Sequence, residues 1–269
     1  MKDINFLTSN GVDVKSSLDL FGDIGTYNDT LGEFINSAKE KIEKLENYKN
    51  EKDMANYSIY VHSLKSDSKY FGFTELAKLA EEQEEKSKVG DIFAIQEGFS
   101  TLQEATNKAV SVASEYLSGN VVENTKPVST ITPQVGEIYT TSTILVVDDS
   151  NIIRNFVMRS FKDKYGIGAA KNGQEAINII YSNSTNNNIV AVLLDLNMPG
   201  VDGFAVLEYM KDNDLFNKIP VSIISGDSSK ETIDRAFTYP IVDMLGKPFT
   251  EKDVKNILEK TILYKELQY

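Results

Sequence analysis

Two adjacent acids, Asp148 and Asp149, follow the apolar run Thr143-Ile-Leu-Val-Val, and a third, Asp195, follows Ile189-Val-Ala-Val-Leu-Leu. Ser225 and Lys247 close two further short apolar segments. Runs of β-branched and aliphatic residues of this kind read as strands buried on both faces, as in a parallel sheet. A strand that carries a carboxylate at its C-terminal tip places it where open α/β sheets hold ligands. Three carboxylates meeting at one edge repel, and they cannot all ionise without compensation. A divalent cation is the economical compensation, and hard oxygen ligands suit Mg²⁺. An aspartate nucleophile, Mg²⁺, a lysine and a hydroxyl donor are together what phosphoryl transfer requires. Each residue alone has a bland reading: an acidic pair opening a helix, a strand-end serine, a surface lysine. Their placement at four different strand ends points to chemistry.

The elements that must position them alternate regularly. A helix is expected over Ser150–Tyr165, a short strand near Ile167–Ala170 and a helix over Gly173–Tyr181. The Ser/Asn-rich stretch Asn183–Asn188 reads as a solvated loop before the strand that ends at Asp195. Pro199 and Gly200 then turn the chain, and Asp202 caps a helix over Gly203–Lys211. The strand Pro220–Ser225, a helix over Lys230–Phe237, the strand Val242–Gly246 and a helix over Glu251–Tyr264 complete five βα units. Strict β–α alternation predicts a doubly wound, five-stranded parallel sheet with right-handed crossovers. In the first of these helices, Ile152 and Phe156 read as an exposed apolar face suited to docking a helical bundle.

The first half is patterned differently. Val14 to Leu117 holds no proline, and no period of two is visible. A short helix is expected over Val14–Phe21. Tyr27–Lys49 carries Leu31, Phe34, Ile35, Ala38, Ile42 and Leu45 as one helical stripe. Asp53–Tyr70, Phe73–Val89 and Asp91–Leu117 follow, with Asp53 as a cap and Gly90 as a C′ residue. Four long helices with short connections predict an all-α, up-down four-helix bundle. His62 lies midway along the second, on a strip with Ser58, Lys65, Ser66 and Lys69 beside the inward stripe Met54, Val61, Leu64, Ser68 and Phe71. That spacing puts the imidazole at the edge of the core, reachable from solvent. Helix geometry alone favours a plain surface histidine with charged neighbours.

Composition bounds the rest. A formal net charge of −12 over 269 residues argues against a nucleic-acid surface, which needs clustered Lys and Arg. There is no run of about 18 apolar residues, and the polar start Met-Lys-Asp-Ile-Asn lacks a signal-peptide profile, so neither a membrane span nor secretion is expected. Cysteine is absent, which removes thiolate chemistry, disulfides and cysteine metal sites. His62 is the single histidine, so multi-histidine metal sites are excluded as well. A cytoplasmic protein is expected. Three segments follow: a helical bundle over 12–118, a Thr/Pro/Ser-rich tether over 119–142 and an α/β domain over 143–267. Such a tether spans roughly 25–30 Å if flexible, with Ile138 and Tyr139 able to pack locally.

Local motifs sharpen both halves. His62-Ser-Leu64-Lys65-Ser66-Asp-Ser68, then Gly72 and the Leu/Ala-rich Glu75-Leu76-Ala-Lys-Leu79-Ala80, resembles the histidine phosphotransfer (HPt) family. The likeness extends over about a hundred residues, and includes Gly11-Val-Asp-Val and Leu20-Phe-Gly-Asp. It implies that His62 carries a phosphoryl group and that Lys65 steadies it; Ser66 stands where many members have Gly. Neutral imidazole is nucleophilic near neutral pH, which suits a carrier. The second half, roughly Thr143–Tyr264, resembles the response-regulator receiver domain through Asp148-Asp149, Asp195-Leu-Asn-Met-Pro-Gly-Val-Asp-Gly, Ser225-Gly226 and Lys247-Pro248-Phe249. This resemblance implies Asp195 as phosphoacceptor, and Mg²⁺ held by Asp149, Asp195 and the Asn197 carbonyl with Asp148 assisting. It further implies Ser225 and Lys247 on the phosphoryl oxygens, and a cis Lys247–Pro248 bond. Met244 departs from the pattern, standing where many receivers carry Tyr or Phe, so activation is expected to be read out differently or hardly at all.

The reading is a phosphorelay protein that passes a phosphoryl group between histidine and aspartate. No nucleotide fingerprint is found, so an ATP-dependent kinase is not expected, and the last helix ends almost at Tyr269, so no output domain is expected either. The implied partners are a histidine kinase or hybrid-kinase receiver, and other receiver or HPt proteins. Two rivals remain at this point. One is an interaction module that docks partners without transferring phosphate; the other is an aspartate-nucleophile phosphatase, disfavoured because no cap insertion follows Asp195.

Overall fold

The computed structural model of the chain describes residues 3–119 and 141–266. By internal contacts the chain divides into two compact units, Met1–Lys126 and Pro127–Tyr269. The expected tether lies, except for its ends, outside the described residues, and so do Ile138 and Tyr139.

The first unit is all helical: α1 (Asn5–Ser9), α2 (Val14–Phe21), α3 (Ile24–Glu51), α4 (Met54–Tyr70), α5 (Thr74–Lys88) and α6 (Ile92–Ser118). Aspartates start most of them. Asp13, Asp23, Asp53 and Asp91 each accept a hydrogen bond from the backbone N–H three residues on, which satisfies a donor that the helix leaves unpaired. The Asp23 cap sets the start of α3 three residues before Tyr27; Gly25 in the first turn hides that start from propensity. The five-residue α1 was not expected, since one turn carries no periodicity. It adds Leu7 to the core.

Rings close one end of this bundle. Phe71 packs on Phe21, Tyr27 and Phe34 at centroid distances of 5.1, 5.7 and 5.0 Å, and Phe34 stacks on Phe73 at 4.9 Å. Burial of each such ring contributes about 1.5–3 kcal/mol. Gly72 lies between two of them at φ +74°, and a Cβ there would fall 2.4 Å from the Asp13 carbonyl oxygen. The same close approach lets the Asp13 N–H donate to the Gly72 carbonyl. At this point α2 is tied to the end of α4, and no larger residue fits.

The second unit is a five-stranded parallel sheet: β1 (Thr143–Val147), β2 (Gly166–Ala170), β3 (Ile189–Leu194), β4 (Val221–Ser225) and β5 (Met244–Gly246), in the order β2-β1-β3-β4-β5. Between and after them run α7 (Asn151–Phe161), α8 (Gly173–Asn183), α9 (Gly203–Asp212), α10 (Lys230–Ala236) and α11 (Glu251–Glu266). Every residue of β1 and β4 is buried, as their unbroken apolar runs require. The edge strand β5 is shorter than expected and only half-buried. One expectation fails here. Ile152 and Phe156 are buried, not exposed, and Phe156 packs against Phe249 at 6.1 Å between centroids. Their apolar excess fills the core and offers no docking face.

Candidate functional site

The acidic edge follows from the register of the sheet. Val147 of β1 pairs with Leu194 of β3, so the next residues, Asp148 and Asp195, leave the sheet side by side. The Asp195 N–H still donates to the Val147 carbonyl at 2.8 Å, and that of Asp148 to the Ala170 carbonyl at 3.1 Å. Both carboxylates are therefore fixed by the ladder itself. With Asp149 they offer oxygens that all lie within 4.8 Å of one another. On the other side of β3, Ser225 pairs with Gly246, and the Lys247 N–H donates to the Ser225 carbonyl at 2.8 Å. That register aims Lys247 inward: its Nζ lies 2.6 Å from Asp148 Oδ2 and 2.8 Å from Asp195 Oδ2, with the lysine side chain 4 % exposed. The Lys247–Pro248 bond is cis.

Two glycines let the loop after Asp195 fold back. A Cβ on Gly203 would lie 2.2 Å from the Asp195 carbonyl oxygen, and one on Gly173 would lie 2.5 Å from that of Val201. The Gly203 N–H donates to the Leu196 carbonyl, and the Gly173 N–H to the Val201 carbonyl. Asn197 is half-buried, and its N–H donates to Asp195 Oδ1 at 3.2 Å. The buried Ser225 hydroxyl accepts from the Asp227 N–H at 3.1 Å.

Electrostatically the edge is rich in negative charge: the ammonium of Lys247 is shared between two of its three carboxylates, Asp148 and Asp195. Burial pushes the Asp148 carboxyl above its ordinary range; Lys247 opposes the rise, while Asp195 and Asp149 add to it. Lys247 in turn is held firmly protonated: burial alone would lower its pKa, but the two carboxylates more than offset that. Asp148 Oδ2 is buried and, though ion-paired with Lys247, has no partner in hydrogen-bond geometry. An all-oxygen donor set with surplus negative charge and an under-satisfied buried oxygen fits a hard divalent cation.

The second cluster sits in the groove between α4 and α5. The expectation of a solvent-reachable His62 is overturned, since the residue is only 5 % exposed. The strip carrying His62 and Lys65 faces α5, not water. The carboxylate of Glu84 on α5 binds three groups there. His62 Nδ1 lies 2.9 Å from Glu84 Oε1, Lys65 Nζ 2.6 Å from Oε2 and Lys88 Nζ 2.7 Å from Oε1. Lys69 pairs with Glu81 one turn away, at 3.2 Å. Burial alone would raise the Glu84 pKa; the hydrogen bond and charge of His62, with Lys65 and Lys88, more than offset it and hold the carboxyl well below the usual range. The ionised Glu84 can only accept, so Nδ1 carries the ring proton. His62 Nε2 is buried without a hydrogen-bond partner.

Neighbouring contacts fix this groove. On another face of α4 the buried Asp67 holds Lys41 and Ser37 of α3, which sets the rotation of α4. Tyr57 donates to Gln83 at 2.7 Å, which sets α5 next to Glu84. Glu84 and Lys88 went unnoticed in the sequence. The available signal was the i, i+4 pairing of two charges on a helix whose other charges are exposed, and this does not mark one carboxylate as buried.

Comparisons with known proteins place each unit in a family. A family model described as "Response regulator receiver domain" matches residues 144–259, and one described as "Hpt domain" matches residues 29–109. "Two-component response regulator ORR3" of Oryza sativa is 28 % identical over 121 residues, covering 45 % of this chain and 90 % of that one. "Two-component response regulator ARR5" of Arabidopsis thaliana is 27 % identical over 132 residues, covering 46 % and 72 %. A "Probable cyclic di-GMP phosphodiesterase" of Vibrio cholerae is 35 % identical over 106 residues, covering 39 % of this chain and 23 % of its own. Among solved structures, the receiver domain of Francisella response regulator 1452 is similar at 29 % identity and TM-score 0.41, covering 47 % of this chain and 99 % of that one.

The parallel sheet with its acidic edge is thus a receiver domain, of the kind found in two-component response regulators. The helical unit is an Hpt domain, and the chain is an Hpt–receiver fusion of phosphorelay signalling. Neither matched domain is a kinase domain. Among the described residues no helix is long and apolar enough to cross a membrane.

Proposed function

We propose that this chain carries a phosphoryl group on His62 of the bundle (12–118) and on Asp195 of the receiver (143–267), and exchanges it with a partner histidine kinase or another receiver. The observation that carries the reading is Lys247 held between Asp148 and Asp195 at the tips of adjacent strands. A phosphoryl group on Asp195 brings negative charge to a place already provided with a fixed ammonium. Asp148, Asp149, Asp195 and the Asn197 carbonyl would hold Mg²⁺, which supplies charge neutralisation to the phosphoryl oxygens. Lys247 and the Ser225 hydroxyl bind those oxygens, and the glycine-locked loop keeps Asp195 oriented. In the bundle, Nε2 bears the lone pair that attacks phosphorus, and Lys65 offsets the charge of the arriving group. Because Nε2 is buried, transfer requires the ring to be uncovered first. With its net charge of −12 the chain is a poor match for nucleic acid, and a cytoplasmic location suits the absence of cysteine.

The test uses the lability of the label. Acetyl phosphate with Mg²⁺ should give a base-labile acyl phosphate that is lost in Asp195→Asn. A cognate kinase should add an acid-labile phosphohistidine that is lost in His62→Gln. Full labelling of Asp195→Asn by acetyl phosphate overturns the acceptor assignment. Absence of any acid-labile label favours a bundle that only docks partners.

A further inference from the structure

We infer that Arg154 is a positioning residue for the acidic edge. Its guanidinium reaches back over the first turn of α7, fixes the peptide that joins Asp148 to Asp149, and so aims the Asp149 carboxylate at the proposed Mg²⁺ position. The inference rests on the reading of that edge as a Mg²⁺-dependent phosphoacceptor site, and it concerns how two consecutive acids are made to serve one centre. Successive side chains of an extended chain point to opposite faces, so Asp148 and Asp149 converge only if the backbone turns sharply between them. Yet oxygens of both lie within 4.8 Å of each other and of Asp195.

The turn is tied at several points. The Asp148 N–H donates to the Ala170 carbonyl at 3.1 Å, and the Ser150 N–H donates to Asp148 Oδ1 at 2.9 Å. The Arg154 N–H donates to the Ser150 carbonyl at 3.2 Å, in the first turn of α7. Helical side chains lean toward the N-terminus of their helix, and the half-buried Arg154 does so far enough for Nη1 to donate to the Asp148 carbonyl. That carbonyl and the Asp149 N–H belong to one planar peptide unit. Holding the oxygen therefore holds the direction in which Asp149 and its carboxylate leave the strand. The Asp148 carboxylate is already placed by the Ser150 N–H and by Lys247, whereas Asp149 is the least buried of the three acids.

A guanidinium suits this task. It is planar, always charged and donates along fixed directions, where an ammonium rotates freely on its stem. Its charge, however, opposes the metal, because a cation beside a cation site weakens binding there. The two effects have opposite signs, which makes them separable. Removal of a mere nearby charge strengthens Mg²⁺ binding, and removal of a positioning group weakens it.

The experiment titrates the full chain with MgCl₂ in a calorimeter. Arg154→Met keeps an apolar stem and removes the donor. It should bind Mg²⁺ about tenfold more weakly, the scale of one hydrogen bond from a charged donor. Arg154→Lys keeps the charge without the fixed fork and should recover only part of that loss. Labelling by acetyl phosphate should fall in Arg154→Met at low Mg²⁺ and return to the native rate at saturation, a split that a general loss of structure does not give. Without metal, the backbone amide resonance of Asp149 should move in Arg154→Met, while that of Ile224 inside β4 stays. Mg²⁺ binding as tight as native, or tighter, in a folded Arg154→Met overturns the inference. Should that variant not fold, native affinity in Arg154→Lys overturns it equally. A native chain that binds no Mg²⁺ and takes no label from acetyl phosphate overturns the acceptor reading instead.

Discussion

The Lys247 ammonium lies 2.8 Å from Asp195 Oδ2, and both side chains are almost wholly buried. A lysine so placed is not a surface charge seeking a partner; it is a fixed countercharge at the strand tips, where the proposed acceptor Asp195 would take its phosphoryl group. Lys247→Met should therefore slow labelling of Asp195 by acetyl phosphate by roughly 10², the usual consequence of removing one preorganised charge from a reaction centre. Mg²⁺ affinity, measured by calorimetry, should rise, since Asp148 and Asp195 then lose the ammonium paired with both. A variant that labels at the native rate would place the neutralising role elsewhere.

The clustering of three carboxylates at this edge predicts a metal-dependent stability. Any cation that binds the folded edge and not the unfolded chain adds about 2.7 kcal/mol at a hundred times its dissociation constant. Thermal unfolding of the receiver should shift upward with MgCl₂ and return with chelator. Asp149→Asn should remove most of that shift while leaving the apoprotein no less stable, because it relieves repulsion that pushes Asp148 upward. An equal Mg²⁺ shift in this variant would exclude Asp149 from the metal site.

Much of this was legible in the sequence for a simple reason. A buried strand admits no charge, so an apolar run that stops at an acid announces both the end of the strand and the residue at its tip. Asp148, Asp195, Ser225 and Lys247 were found that way. The burial of His62 was not, because helical periodicity describes a helix about its own axis and is silent on which neighbour covers each strip. Glu84 lies 22 residues away in another helix, and only the packing of α5 on α4 brings them together. The same blindness made Ile152 and Phe156 look like a docking face. With Ile152 fully buried, Ile152→Asp should unfold the receiver and would not report on docking.

Gly203 shows a constraint of a different kind. Its spacing marks the start of α9, but only the structure shows that a Cβ would collide with the backbone of Asp195 and Leu196, at 2.2 and 2.7 Å. Backbone cannot rotate away as a side chain can, so Gly203→Ala must move the end of β3 and Asp195 with it. Labelling by acetyl phosphate should fall at least as much as stability, with urea unfolding reporting the latter. If Gly203→Ala labels normally in a folded receiver, the loop has more freedom than its hydrogen bonds suggest.

Glu84 gives the bundle a dependence on acid whose sign follows from its partners. Its carboxyl is held below the ordinary 4.5. A group whose pKa is depressed by folding contributes stability that is fully present above its unfolded value and is lost as pH falls through the folded one. The bundle should therefore keep its full stability from neutrality down to about the ordinary carboxylate range, and lose it progressively below. In Glu84→Gln that part of the slope should vanish, because an amide binds no proton, while stability at neutral pH drops through the loss of the ion pairs with Lys65 and Lys88. The measurement is denaturant unfolding followed by helical circular dichroism at stepped pH. A Glu84→Gln curve parallel to the native one would mean that the carboxylate is not ionised in the groove. Nothing would then hold the His62 proton on Nδ1.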